Sequence, residues 1–460
     1  MSWDRRTTKQ LAATQQGALK AQLVDGIGPF SPYWKARFKA LGSTASQFAT
    51  ADSLAALPAV GERDVCADGD PAAAAGLVLQ AGESGWALHA EGPKLRRALA
   101  SRLVRPGSYR AVVEADTRPT SFVFAGLGLR FPLASTRSDL DVVARAGARL
   151  WQVLGLTRQD VLVAALDLAP TADLQALQLA ALAAGSPALF PGDHPDEVAA
   201  ALRLVPATVL AVRTGDAVRM LEDLDEAGAE LSTLTTVLLI GAPDDTERAA
   251  VRAVLGTVSV LAAHVPDGHR LMWGECPGGA HGLHTYPDLE VLQLVDPETG
   301  EAGDASGPSE VVLTQLGMRG TAMLRWRTAD LAASLETAPC PGCSRTVPRL
   351  VGVRRRALVP NVSFKAGTTG IDLRGVAGAL VGRSDLADWR IVVGRSRRRD
   401  GHELIIHVVP RADADEADVA VGVARDIRAA AGTLPTQVVV QDAGSLPEGE
   451  RLSRRVLLRA

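Results

Sequence analysis

Between residues 160 and 263, short apolar runs alternate with longer amphipathic stretches. Val161–Leu166, Thr208–Val212, Thr236–Ile240 and Val258–Ala262 are continuous and largely apolar, which predicts buried strands. Asp173–Ala184, Asp216–Glu226 and Asp244–Val254 carry apolar residues at helical spacing, and each opens on an aspartate that suits a helix N-terminus. Strands that are apolar on both faces, separated by helices, predict a parallel sheet covered on both sides.

The flanks read differently. Residues 1–60 are polar and helical in pattern, punctuated by Pro29, Pro32 and Pro58. From about 75 to 155, short apolar runs alternate with Gly-rich turns and end in a helical pattern through Leu150, Trp151 and Leu154. After residue 285 the period becomes two: Leu289–Val295, a turn at Asp296–Gly300, then Glu310–Thr314, as in antiparallel hairpins. The tail predicts a helix at 372–381, strands at 389–395 and 403–409, a helix at 415–430 and a strand at 436–441. The fold class expected is α/β, with a large unit over 1–351 and a small α+β unit over 352–460.

Composition narrows the function classes. The 460 residues are 47% hydrophobic and 22% charged with a net charge of −3, giving no electrostatic case for nucleic acid or an anionic membrane. The Leu174–Phe190 run is interrupted by Gln175, Gln178, Gly185 and Pro187 and is too short to span a bilayer. Met1-Ser-Trp-Asp-Arg-Arg leads into polar residues, not an apolar leader, so the expected location is cytoplasmic. Four cysteines in this length do not make a disulfide framework. Lysine occurs only at positions 9, 20, 35, 39, 94 and 365, which restricts any mechanism needing a C-terminal lysine.

Three features occur in order: Arg325-Trp-Arg-Thr-Ala-Asp330-Leu331, the Cys340-Pro-Gly-Cys343 knuckle, and the small C-terminal unit. Together they resemble the adenylate-forming ligases, and most closely their phenylacetate-CoA ligase-like branch. Pro32-Tyr33-Trp34-Lys35 and Leu54-Ala-Ala-Leu-Pro58 resemble that branch's opening helical arm. The resemblance implies a large domain with a β-subdomain, a C-terminal lid that changes orientation, and a two-step reaction. A carboxylate and ATP give acyl-AMP, and CoA then displaces AMP. The implied partners are a small carboxylate, ATP or AMP with Mg²⁺, and CoA.

Residue by residue the match is uneven. Gly126, Gly128 and Arg130, in Val123–Arg130, stand where the family's phosphate loop lies, but the hydroxyls and the lysine of that loop are replaced. A structural turn is the alternative reading. Gly241-Ala242-Pro243 resembles the turn beside adenine, and a plain strand-to-helix turn predicts the same residues. At the family's Tyr-Gly-x-Thr-Glu the chain reads His264-Val-Pro-Asp267-Gly268, which leaves Asp267 as the only nearby carboxylate for a metal. Asp330 matches the aspartate that accepts from both ribose hydroxyls, the alternative being a salt-bridged surface turn. The terminal lysine motif is replaced by Leu446–Val456, in which Arg451 and Arg454 are the candidate cations. Lys365-Ala-Gly-Thr-Thr-Gly370 has the look of a phosphate loop but lacks a preceding buried strand.

Some phenylacetate-CoA ligase-like proteins hold zinc with a Glu-Cys, a Gly-Leu-His and a later Cys pair, which here gives Cys276, His284, Cys340 and Cys343, with His281 as the alternative nitrogen. Three thiolates and an imidazole make a closed structural zinc site, and unligated buried thiols are the alternative. The functional expectation is a ligase-like protein whose adenylation is weak or absent. A non-catalytic relative that binds a nucleotide, an acyl ligand, a partner protein or a second copy of itself is the alternative.

Overall fold

The computed structural model describes residues 3–66, 70–90, 92–104, 107–126, 130–243, 245–278, 282–297, 299–302 and 309–355, and in the tail 364–366, 369–371, 376, 379–380, 383, 385–395, 402–412, 414–431, 434–441 and 456–459. The chain divides into two compact units, Met1–Arg356 and Ala357–Ala460.

In the large unit, β1 (Pro119–Ala125) and β2 (Phe131–Thr136) form an antiparallel hairpin. The central strands are β3 (Leu162–Ala165), β4 (Ala188–Leu189), β5 (Val209–Arg213), β6 (Thr236–Ile240) and β7 (Ser259–His264), followed by the short β8 (Trp273–Gly274) and β9 (Leu283–His284). Next come β10 (Glu290–Val295), β11 (Ser309–Gln315), β12 (Trp326–Ala332), β13 (Ser334–Glu336), β14 (Arg349–Val351) and β15 (Arg354–Arg355). β3 to β7 pair in parallel, and β8, β9, β14 and β13 extend the same sheet with antiparallel pairings. A second sheet runs β10-β11-β12-β15.

Alternation along the buried strands explains the layering. Leu162, Ala164, Val209, Ala211, Leu238 and Ile240 face one core with the helices Arg137–Leu154 and Ala172–Ala184. Val163, Ala165, Leu210, Val212, Val237 and Leu239 face the other, with Pro195–Leu204, Ala217–Glu226 and Asp245–Leu255. Every residue therefore packs against a helix on one side, which is why these strands read as unbroken apolar runs. The helix Arg137–Leu154 starts on a capping box between Thr136 and Asp139 and ends at Gly155 in the left-handed region.

The N-terminal arm has its own core of Leu19, Leu23, Ile27, Trp34, Phe38, Leu54 and Leu57, closed by Phe131, Leu313 and Trp326. Two expectations need correction. Residues 83–117 are three helices, Glu83–His89, Gly92–Val104 and Ser108–Thr117, not runs broken by Gly-rich turns. The 325–331 stretch is not a turn: from Trp326 on it is strand β12, irregular at Ala329 with φ of 59°, and Arg325 just before it holds φ of 42°. Its first residues are bridged to the arm: Val60 N donates to Arg325 O and Arg327 N to Val60 O, both at 2.8 Å.

In the small unit, β16 (Phe364–Ala366) and β17 (Thr369–Ile371) form a hairpin, which places Lys365 on a strand and not in a strand-to-helix loop. β18 (Leu386–Arg395), β19 (His402–Pro410), β20 (Gln437–Val440) and β21 (Val456–Arg459) form one sheet in the order β20-β19-β18-β21. The helix Glu416–Ala431 contributes Val419, Val423 and Ile427 to its core with Ile391, Leu404, Ile406 and Val408. Among the described residues, no helix is long and apolar enough to cross a membrane.

Candidate nucleotide crevice and cysteine cluster

Two hydrogen bonds join three stretches that lie far apart in sequence. At the end of β7, His264 Nε2 lies 2.7 Å from Asp330 Oδ2 on β12. An ionised carboxylate only accepts, so the imidazole N–H donates. Asp330 is 0% exposed and His264 4%, and water is excluded from the pair. Three residues on, Asp267 Oδ1 accepts from the Gly126 amide at 2.8 Å, at the turn that leaves β1. Gly126 holds φ of 96°, a conformation that glycine adopts without strain.

The strand carrying Asp330 is held by its neighbour. Thr328 Oγ1 donates to Val311 O at 2.7 Å, Ala329 N donates to Glu310 Oε1 at 3.1 Å, and Arg327 pairs with the same Glu310. The loop between β7 and β8 is fixed from behind. His269 Nε2 meets Glu290 Oε2 at 2.7 Å, Trp273 Nε1 donates to the same carboxylate, and Gly268 leaves no room for a Cβ beneath the Trp326 indole.

The remaining predicted contacts lie elsewhere. Ala242 and Pro243 line a cleft of about 240 Å³ with Asp245, Arg248, Glu275 and Val353. Gly241 leads into it with φ of 140°, its Cα packed against the Thr214 side chain. Arg130 is exposed and stacks on Phe124 of its own hairpin, 4.7 Å from the ring centre. Gly128, His281, Arg451 and Arg454 lie outside the described residues.

The cysteines converge. Cys276 follows β8, His284 ends the neighbouring β9, and Cys340 and Cys343 flank the turn between β13 and β14. Cys276 Sγ and Cys340 Sγ are 3.7 Å apart, Cys343 Sγ and His284 Nε2 3.5 Å, and all four ligand atoms lie within 4.8 Å of one another. Tetrahedral zinc with Zn–S near ~2.3 Å and Zn–N near ~2.0 Å has edges of about 3.5–3.8 Å, so the donor set fits a divalent metal. Burial, with Cys343 and Cys340 close by, pushes the Cys276 thiol up to about 12. Burial raises Cys343 as well, but hydrogen bonds from Arg345 outweigh it and hold that thiol below its usual value. Arg345 is itself anchored by Asp4 at 2.9 Å.

Sequence reasoning missed two partners. In the sequence His264 only stands where the resembling motif has a tyrosine, and nothing local signals a contact 66 positions away. The Arg248–Glu275 pair was also unseen, with Nη1 and Nη2 donating to the two carboxylate oxygens at 2.9 and 2.7 Å. A glutamate just after the apolar run Leu271-Met-Trp273 is the available hint.

No protein-family model and no curated protein matches the chain. Three solved structures of 2-hydroxyisobutyryl-CoA ligase are similar over nearly its whole length. The postadenylation state in complex with 2-HIB-AMP is 16% identical with a TM-score of 0.64, covering 99% of this chain and 91% of that one. The thioesterification state in complex with 2-HIB-AMP and CoA gives 16% and 0.61 over the same shares. The open conformation gives 16% and 0.60, covering 99% and 93%. Identity at this level speaks to the path of the backbone and not to the chemistry. By that path, the chain has the adenylate-forming ligase fold.

Proposed function

We propose that this chain is a phenylacetate-CoA ligase-like protein of the AMP-forming carboxylate–CoA ligase class, with adenylation that is weak or absent. The observation that carries the reading is the meeting of Gly126, His264, Asp267 and Asp330, three stretches in the order and places of the family's phosphate, adenine and ribose motifs. The likeness to a ligase solved with an acyl-AMP and CoA supports a small carboxylate, ATP or AMP, and CoA as ligands. The Cys276–His284–Cys340–Cys343 group supports the phenylacetate-CoA ligase-like branch, with a structural zinc that ties β8 and β9 to the turn before β14. The cleft beside Ala242 and Pro243, at about 240 Å³, is smaller than the ~300–1,000 Å³ of sites that engulf a drug-sized ligand. It suits one ring system, such as a base, more than a whole nucleotide.

Weak adenylation follows from what the chain lacks. As the carboxylate attacks and pyrophosphate leaves, negative charge gathers on the α-phosphate, and one well-aimed donor there is often worth ~10²–10³-fold in rate. No lysine follows Lys365, and the Val123–Arg130 loop carries neither lysine nor hydroxyl. Arg130, Arg451 and Arg454 are the remaining cations for that role, and Asp267 is the candidate for holding Mg²⁺. ATP–pyrophosphate exchange across aryl, fatty and short hydroxy acids is the test, with slow or undetectable exchange and measurable AMP or CoA binding expected. Rapid exchange with any acid would overturn weak adenylation, and failure to bind AMP, ATP and CoA alike would overturn the ligase-like reading.

One observation favours the second reading, a non-catalytic nucleotide-, acyl- or partner-binding relative. Asp330 is fully buried under His264, so its carboxylate is not open to a ribose in this state.

A further inference from the structure

We propose that two of the chain's own groups occupy the nucleotide crevice and hold it closed. His264 stands in for the ribose hydroxyls on Asp330, and Asp267 stands in for a phosphate oxygen on the Gly126 amide. This rests on reading the crevice as a nucleotide site.

The chemistry of each contact matches the group it replaces. A ribose presents hydroxyl donors to a carboxylate, and His264 presents an N–H donor to the same carboxylate at 2.7 Å. A phosphate presents anionic oxygens to backbone amides, and Asp267 presents an anionic oxygen to the Gly126 amide at 2.8 Å. Both are charge-assisted bonds, and the first sits where water cannot compete. A nucleotide and these side chains cannot hold the same partners at once.

The two contacts release separately. His264 ends β7 and Asp267 lies three residues on, in a loop backed by Gly268 against Trp326 and by His269 against Glu290, so each side chain turns away from its partner while the backbone stays in place. Apparent affinity is then the intrinsic affinity reduced by the fraction of molecules in which the side chain has left the partner that the ligand needs. A ligand that engages both partners, such as AMP, gains from both, whereas adenosine gains from one.

The test is calorimetric titration of the full chain with AMP, adenosine and 2′,3′-dideoxyadenosine. His264→Ala is expected to bind AMP and adenosine roughly tenfold or more tightly than the wild type, the size expected for freeing one charge-assisted partner. That gain disappears with the dideoxy nucleoside. Asp267→Ala gains for AMP and much less for adenosine, and because Asp267 is only half-buried it carries the test if His264→Ala does not fold. His264→Gln, which keeps a donor, stays near the wild type. Folded variants that bind AMP with wild-type affinity would overturn the closure while leaving the nucleotide reading intact. An equal gain in His264→Gln and His264→Ala would overturn the role of the hydrogen bond. If neither the wild type nor any variant binds AMP, the nucleotide reading fails and the closure with it.

Discussion

Gly268 lies so close beneath the Trp326 indole that a Cβ at that position would overlap the ring. The loop after β7 is thus pressed onto β12 at a point where only hydrogen fits. Gly268 also holds φ of 73°. Gly268→Ala therefore meets both a strained backbone and an overpacked contact, for a loss of about 2–4 kcal/mol. Urea denaturation should show a lower midpoint with an unchanged slope. A midpoint within error of the wild type would mean that the loop and the strand separate easily.

The cysteine group predicts about one zinc per chain in protein purified without chelator, read by elemental analysis. Cys276→Ser, Cys340→Ser and Cys343→Ser should each lower the zinc content and the melting temperature. Cys66, buried in the core of the N-terminal arm, is the control, and Cys66→Ser should keep its zinc. Protein that stays metal-free after incubation with zinc would remove the site.

What could be read from the sequence follows the range of the interactions. β3, β5, β6 and β7 were legible because their residues, apart from Arg213 and Ser259 at two strand ends, are buried, and continuous apolarity records that directly. The cysteine group was legible because its ligands are rare residue types in a spacing that a resemblance could name. The helices between Glu83 and Thr117 were not, since their apolar spacing is diluted by alanine, glycine and arginine. Strand β12 was not legible because the motif it resembles suggests a turn, and because its shape at Ala329, left-handed at φ of 59°, is held by Glu310 from another strand. The His264–Asp330 pair depends on a long-range pairing of two elements that no local pattern encodes.

Asp116 predicts an acid-sensitive contact in the helical region before β1. Its buried carboxylate accepts from Trp86 Nε1 at 2.7 Å and Lys94 Nζ at 2.6 Å, and also from Ser138. Burial alone would raise its pKa, but the bonds from Lys94, Ser138 and Trp86 outweigh that and hold it below the usual carboxylate value. Its stabilisation is therefore present above the unfolded value of ~3.9 and is lost as pH falls through the lower folded value. Asp116→Asn should cost about 1.5–3 kcal/mol at neutral pH. The gap from the wild type should narrow below about pH 4, and a gap that stays constant from pH 7 to 3 would contradict the assignment.

The small unit should fold on its own. Ile391, Leu404, Ile406, Val408, Val419, Val423 and Ile427 form a core that lies within Ala357–Ala460. A fragment of those residues is expected to give dispersed amide resonances and a cooperative melt. A collapsed, non-cooperative fragment would show that its stability depends on the rest of the chain.

Arg248 and Glu275 test how the segment after β8, which carries Cys276, is held. Their two parallel bonds are buried, with the residues 7% and 5% exposed, and Glu275 Oε2 also accepts from the Ala262 amide at 2.9 Å. A buried pair has already lost the hydration of both ions, so its mutual attraction largely offsets that cost and contributes little net stability. Removing one partner differs, because it leaves a charge buried with poor company, at about 3–5 kcal/mol. Arg248→Ala should therefore be severely destabilising and should loosen Cys276, the residue next to Glu275, so that zinc is lost faster to a competing chelator. Glu275→Gln should be milder, since the amide oxygen still accepts. The double variant Arg248→Met with Glu275→Met removes both charges and should cost much less than the two single losses added together. Urea midpoints of the four proteins decide the matter: a double variant as unstable as the sum of the singles would mean that the two side chains act independently and that neither single loss strands a buried charge.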